Sequence, residues 1–255
     1  MGPALPIPSI LRIIFRPLLW SWSNLFLFNL HNQRHPQSIR EDAVNKPWRP
    51  IPSGRITSVQ TTRVMYCMYP VTSVIALGTG GLVPCLVETL LCIWYNELGG
   101  AANPFLKNAL NGFGFACFLA GPFEVVTRRS IFTGDNKAAI WLLILAIAIT
   151  SSSHLQDFRD TAGDKAMGRK TVPIVMGDLA ARLQCSVALL VSTGVACCFW
   201  RVSCGQGVIA EISGLTIAAN LLLHRNRSGD ILSWRLFPLW MLGLILLPVL
   251  SAFRN

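Results

Sequence analysis

The chain has 255 residues, 52% of them apolar and only 13% charged, with a mean hydropathy of +0.49; soluble globular proteins carry about 25% charged residues. That balance excludes a disordered chain, a coiled coil and almost every soluble enzyme. The charge is lopsided, 22 Lys and Arg against 12 Asp and Glu, but membrane-length apolar runs separate the basic residues, which argues against nucleic-acid binding.

A helix needs about 20 apolar residues to cross a hydrocarbon core of about 30 Å. Segments near that length recur at 11 to 30, 58 to 78, 82 to 96, 108 to 126, 137 to 156, 180 to 200, 206 to 224 and 234 to 251. Eight spans in an all-α integral membrane bundle, one domain over residues 1–255, is the expected architecture. Arg12 and Arg16 lead into an apolar stretch that runs on into charged sequence without a small-residue cleavage site, so the N-terminus does not read as a secretory leader. The eight cysteines lie in or beside apolar segments with no CxxC pair, and read as small packing residues.

The first long polar connection, 31 to 57, continues from the end of the first span as FNLHNQRHPQSIREDAVNKPWRPIPSGRIT. Asn29, Asn32 and Gln33 end the span, and Glu41 and Asp42 precede Asn45, Lys46 and Arg49. Amide and carboxylate oxygens are hard-cation ligands. Prolines 47, 50 and 52 stiffen the segment that carries Lys46 and Arg49. His31 and His35 have helical zinc spacing but no third ligand in sequence, so a polar rim is the better reading. Further on, Glu88, Asn111 and Glu124 fall within spans, where a polar group needs a cavity or a partner. Trp94, Tyr95, Phe113, Phe115, Trp141 and Trp240 are either interfacial anchors or faces for a cation.

The second polar connection, 157 to 179, begins within HLQDFRDTAGDKAMGRKTVP. Asp157, Asp160 and Asp164 are spaced three and four apart, which on a helical extension of the preceding span stacks three carboxylates along one face. Like charges at that spacing repel, and Mg²⁺ relieves the repulsion while keeping sites for phosphate oxygens. Arg159, Lys165, Arg169 and Lys170 are donors suited to diphosphate. Four spans separate the two connections, an even number, so both are expected on one face. With the segments around Lys107 and 225 to 235 that face carries 13 of the 22 basic residues, which makes it cytoplasmic by the positive-inside rule.

These two motifs resemble those of the UbiA superfamily of intramembrane prenyltransferases and terpene cyclases, NKPWRPIPSGRIT in the first connection and DFRDTAGDKAMGRKTVP in the second. WYNELGGAANPFLKNALNGFGF, at 94 to 115, is similar to the family's fourth-span region. The resemblance implies an isoprenoid diphosphate threaded into an apolar cavity among lipid, and no nucleic-acid partner. Mg²⁺ would be held by Asp157, Asp160, Asp164, Asp42 and the amides of Asn29 and Asn32. Lys46, Arg49, Lys107, Arg159 and Lys170 would share the diphosphate charge, and the four aspartates would carry the catalysis. Family members usually have nine spans, so one N-terminal helix fewer is expected here.

Only Asp42 aligns cleanly with the family's first acidic motif. In this the chain is most similar to fungal UbiA-type terpene cyclases, which implies cyclisation of farnesyl or geranylgeranyl diphosphate in secondary metabolism, in the endoplasmic reticulum. Prenyl transfer to an aromatic acceptor is the alternative. A transporter is disfavoured because the acids gather at one mouth and no repeat is evident; a degenerate, inactive family member stays open.

Overall fold

A computed structural model describes residues 7–253, and among them every regular element is helical. In chain order these are α1 (Ile7–Gln33), α2 (Pro36–Asn45), α3 (Ser58–Thr79), α4 (Leu82–Asn96), a 3-10 turn (Gly100–Ala102), α5 (Pro104–Thr127), α6 (Lys137–Ser152), α7 (Leu155–Phe158), α8 (Thr161–Ala166), α9 (Val172–Met176), α10 (Asp178–Trp200), α11 (Val208–Leu223) and α12 (Arg227–Ala252). The eight long helices fall on the eight expected spans, most running a few residues further. The stretch Lys137–Phe158 and helices α5, α10 and α12 are long and apolar enough to cross a membrane, while α4 and α11 are shorter apolar helices. Leu86, Leu90, Leu143, Ile147, Val187, Val191, Ile212 and Leu215 are exposed on these helices, as hydrocarbon-facing residues must be. This is an integral membrane helical bundle.

Local chemistry sets the helix ends. Thr57 and Gln60 form a reciprocal capping box at the start of α3, which satisfies backbone donors that the first turn leaves open. Asn103 accepts the amides of Phe105 and Leu106, both at 3.0 Å, and Asn226 accepts that of Gly229 at 2.9 Å. Proline stands in the first turn of α2 and α9, where its missing N–H costs nothing.

The chain divides into two compact units, Met1–Gly99 with Cys117–Lys137, and Gly100–Ala116 with Ala138–Asn255. In the first, Trp20 is fully buried and donates its indole N–H to Gly81 O at 3.1 Å. The ring fits because Gly81 and Gly121 lack side chains: a Cβ on Gly121 would overlap the indole, and one on Gly81 would sit 2.9 Å from Gly121 O. Gly81 also has φ +76°, a left-handed value that costs glycine little. In the second unit, Gly243 meets the Ala210 backbone and Gly214 meets Trp240. Such small residues bring helices together in lipid, where hydrophobicity does not.

Two expectations need correction. The second connection does not continue the preceding span as one helix. It breaks into α7, α8 and α9, so the three aspartates do not share one face. Of the cysteines, all unpaired, Cys85, Cys92, Cys117 and Cys185 are buried packing residues, but Cys67, Cys198 and Cys204 are exposed.

Candidate active site: acids paired with bases

The second connection starts where α6 ends at Ser152 and the chain turns through Ser153 and His154 into α7. His154 is buried, with Nε2 3.3 Å from Ala181 O and Nδ1 3.5 Å from the Asn108 amide. Phe158, at the other end of α7, lies under the Arg182 guanidinium, 4.4 Å from ring centre to Cζ. That guanidinium is fixed in turn by Asp230, which it meets with two bonds of 2.6 and 3.0 Å, and by Asp178 at 2.8 Å. A single helical turn, too short to be stable alone, is thus clamped at both ends by buried side chains.

Asp157 sits on that turn. It is 5% exposed, and its Oδ1 accepts from Lys107 Nζ at 2.8 Å. Lys107 stands in the first turn of α5, placed there by the Asn103 cap. The other oxygen, Oδ2, is buried without a hydrogen-bond partner. A bare buried carboxylate oxygen is expensive and is suited to take a cation. Asp164, on α8, is buried too, and Arg169 approaches its Oδ1 to 3.5 Å. Burial raises the Asp164 carboxyl above the ordinary value; Arg169 opposes this, while Asp157 and Asp160 reinforce it. Asp160 differs from the other two. It stands at the α7–α8 break with its side chain 55% exposed, paired with Arg159 Nε at 3.2 Å, and Arg159 lies over the Trp234 ring, 5.2 Å from its centre. Lys170 is exposed.

In the first connection Asp42 is buried, and its Oδ2 accepts from Arg49 Nη1 at 2.6 Å. Lys46 caps α2 through its amide on Asp42 O at 2.7 Å and is exposed. After it the prolines fold into consecutive turns closed by Ser53 N–H on Arg49 O and Gly54 N–H on Ile51 O, both 3.0 Å, and by Arg55 on Trp48 O. Asn29 donates to Leu25 O at 2.8 Å and accepts from Gln33 at 3.3 Å. Its carbonyl keeps a second lone pair. Asn32 is half-buried.

The third partner that the sequence did not supply for His31 and His35 is Glu97. His31 is buried between Glu97 Oε1 at 2.7 Å and the Tyr69 hydroxyl at 2.8 Å. Arg34 pairs with the same carboxylate, and His35 lies 3.4 Å from it. Partial burial works to raise the Glu97 carboxyl, but the bonds from His31 and Arg34 outweigh it and hold the group below its ordinary value. With an arginine already on that oxygen this is a polar lock between α1, α3 and the end of α4. Among the described residues no three His, Cys, Asp or Glu are gathered as a metal group.

Of the acids within spans, Glu124 is occupied by the backbone, accepting Ile131 N–H at 3.0 Å. Glu88 is buried with Oε2 unpartnered, on the α4 face that carries Cys85 and Cys92. Sequence reading missed Asn108, buried beside Lys107 with Oδ1 unpartnered; its position one residue after a basic helix start was the available signal. It also missed the Arg182–Asp230 clamp.

Buried acids matched with bases stand beside the ends of helices in an integral membrane bundle. The UbiA prenyltransferase family matches residues 15–244, and the chain belongs to it: it is a UbiA-type prenyltransferase or terpene cyclase. The fumagillin beta-trans-bergamotene synthase of Aspergillus fumigatus is 28% identical over 97% of this chain and 84% of its own length. Two proteins of Hericium erinaceus are each 29% identical: a polyprenyl transferase, over 88% of this chain and 74% of its own, and a diterpene cyclase, over 70% and 57%. No solved structure matches.

Proposed function

We propose that this enzyme ionises farnesyl or geranylgeranyl diphosphate in an intramembrane cavity and cyclises the resulting cation to a terpene of secondary metabolism. The observation that carries the reading is Asp157, buried, with one oxygen on Lys107 and the other bare. The donor set fits Mg²⁺, since carboxylate and amide oxygens are hard ligands and the bare buried oxygen lacks a partner. When bound, Mg²⁺ supplies positive charge to a departing diphosphate.

The chain's own residues divide the remaining work. Asp157, Asp160 and Asp164 in the second connection, and Asp42 with the amide oxygens of Asn29 and Asn32 at the first, are the residues that would hold the cation. Lys46, Arg49, Lys107, Arg159 and Lys170 bind diphosphate oxygens and stabilise the charge that develops as the C–O bond breaks. The apolar helices exclude water from the allylic cation. Both connections face the cytoplasm, from the even number of long helices between them and the excess of basic residues, and the membrane is that of the endoplasmic reticulum.

Cyclisation is favoured over transfer because a synthase aligns with 97% of this chain and because the first motif has a single clean acid. The alternative, prenyl transfer to an aromatic acceptor, has its own support in the polyprenyl transferase relative. Membranes containing the protein, given Mg²⁺ and either diphosphate without acceptor, are expected to release a cyclic hydrocarbon. Product that forms only with a phenolic acceptor, and contains it, would establish the transferase.

A further inference from the structure

The acids assigned above to cation binding are not standing free. In the second connection Lys107 Nζ is 2.8 Å from Asp157 and Arg169 Nη1 is 3.5 Å from Asp164. The Lys107 side chain is 15% exposed and that of Asp157 7%, so water screens this pair poorly. A divalent cation approaching the bare Oδ2 of Asp157 meets an ammonium on the other oxygen of the same carboxylate. At such separations two like charges repel by several kcal/mol even at an effective dielectric of about 20. The ammonium cancels much of what the carboxylate offers, and the attraction left over must also meet the cost of stripping water from the cation.

We propose that Lys107 and Arg169 are counter-ions that close the second acidic motif to free divalent cations, so that cation and diphosphate enter together. On entry the two bases leave the carboxylates for diphosphate oxygens, and the carboxylates turn to the cation. Charge is conserved in the exchange: each buried acid always has a positive partner and each base a negative one, so neither is stranded in a poorly solvated site. The arrangement makes the site selective for a cation that arrives with a diphosphate. The inference rests on the metal-assisted reading above and adds an order of binding to it.

The test is equilibrium dialysis of the protein in lipid nanodiscs against Mn²⁺ as the probe, with and without inorganic diphosphate, empty discs being subtracted. The wild-type protein is expected to retain manganese only when diphosphate is present. Lys107→Met should retain it from Mn²⁺ alone, about a hundredfold more tightly than wild type, whereas Lys107→Arg should behave like wild type. Arg169→Gln, at a 40% exposed side chain whose replacement does not threaten folding, should show the same gain in smaller measure. Wild-type protein that takes up Mn²⁺ equally well without diphosphate overturns the inference and leaves the proposed function standing. So does the absence of a gain in both Lys107→Met and Arg169→Gln. Failure to retain manganese even with diphosphate overturns the metal-assisted reading, and the inference with it.

Discussion

Asp157 and Asp42 are equally buried, at 5% exposure each, yet they are held in different ways. The base on Asp42 comes from seven residues further along the same connection. The base on Asp157 comes from the start of α5, 50 residues away in sequence, and the turn that carries Asp157 is clamped by His154 at one end and by Phe158 under Arg182 at the other. A local pair tolerates rearrangement of its own loop, whereas a distant one exists only while the packed helices hold it. The comparison teaches that Asp157 is fixed by tertiary packing and Asp42 by its own loop, so that under the proposed function the second motif is the preorganised one and the first the adaptable one.

The most direct way to break that comparison is to remove each acid. Asp157→Ala is expected to lower turnover by about a thousandfold, on the scale of losing one well-placed electrostatic group, with the protein still in the membrane. Asp42→Ala is expected to cost about tenfold, because a pair formed within one loop is more readily replaced by a neighbouring group. Product formation at matched protein levels decides it, and equal losses would erase the distinction.

Next in size is the clamp. Removing Asp230 leaves the buried Arg182 guanidinium with the half-exposed Asp178 as its remaining carboxylate, so Asp230→Ala should destabilise the second unit by about 3 kcal/mol, read as a fall in thermal unfolding temperature in detergent. Replacing Arg182 and Asp230 together with Met and Leu should recover most of the loss. If the rigidity of the clamp is what positions Asp157, the double variant regains stability but not full turnover.

In the first unit the equivalent point of rigidity is the Trp20 socket. Gly121→Ala places a methyl group into the indole, and overpacking of this kind costs about 1–3 kcal/mol. The melting temperature should fall with little change in turnover, since Trp20, Gly81 and Gly121 are not among the residues proposed to hold cation or diphosphate.

The smallest effect concerns pH. The Glu97 carboxyl is depressed by His31 and Arg34 despite partial burial, so its contribution is complete above the ordinary carboxylate pKa and is lost as pH falls through the lower folded value. Glu97→Gln should therefore reduce stability at neutral pH by about 1 kcal/mol or less and flatten the acid limb of the stability curve. An unchanged acid limb would mean that the polar lock carries no net energy.

The sequence by itself determined the eight long helices, because an apolar run of membrane length has few alternatives in lipid. It also singled out the connection proposed above to carry the chemistry, because three acids and four bases within fourteen residues are conspicuous in so apolar a chain. Tertiary structure decided the rest. Periodicity placed Asp157, Asp160 and Asp164 on one face, but the break at Arg159 and Asp160 turned two of them inward and left the third exposed, an outcome set by the clamp on α7. The partner of Asp157 lies 50 residues away, that of His31 lies 66 away, and that of Arg182 lies 48 away. Helical spacing speaks only for neighbours within a turn or so; which base meets which acid across that distance is settled when the helices pack.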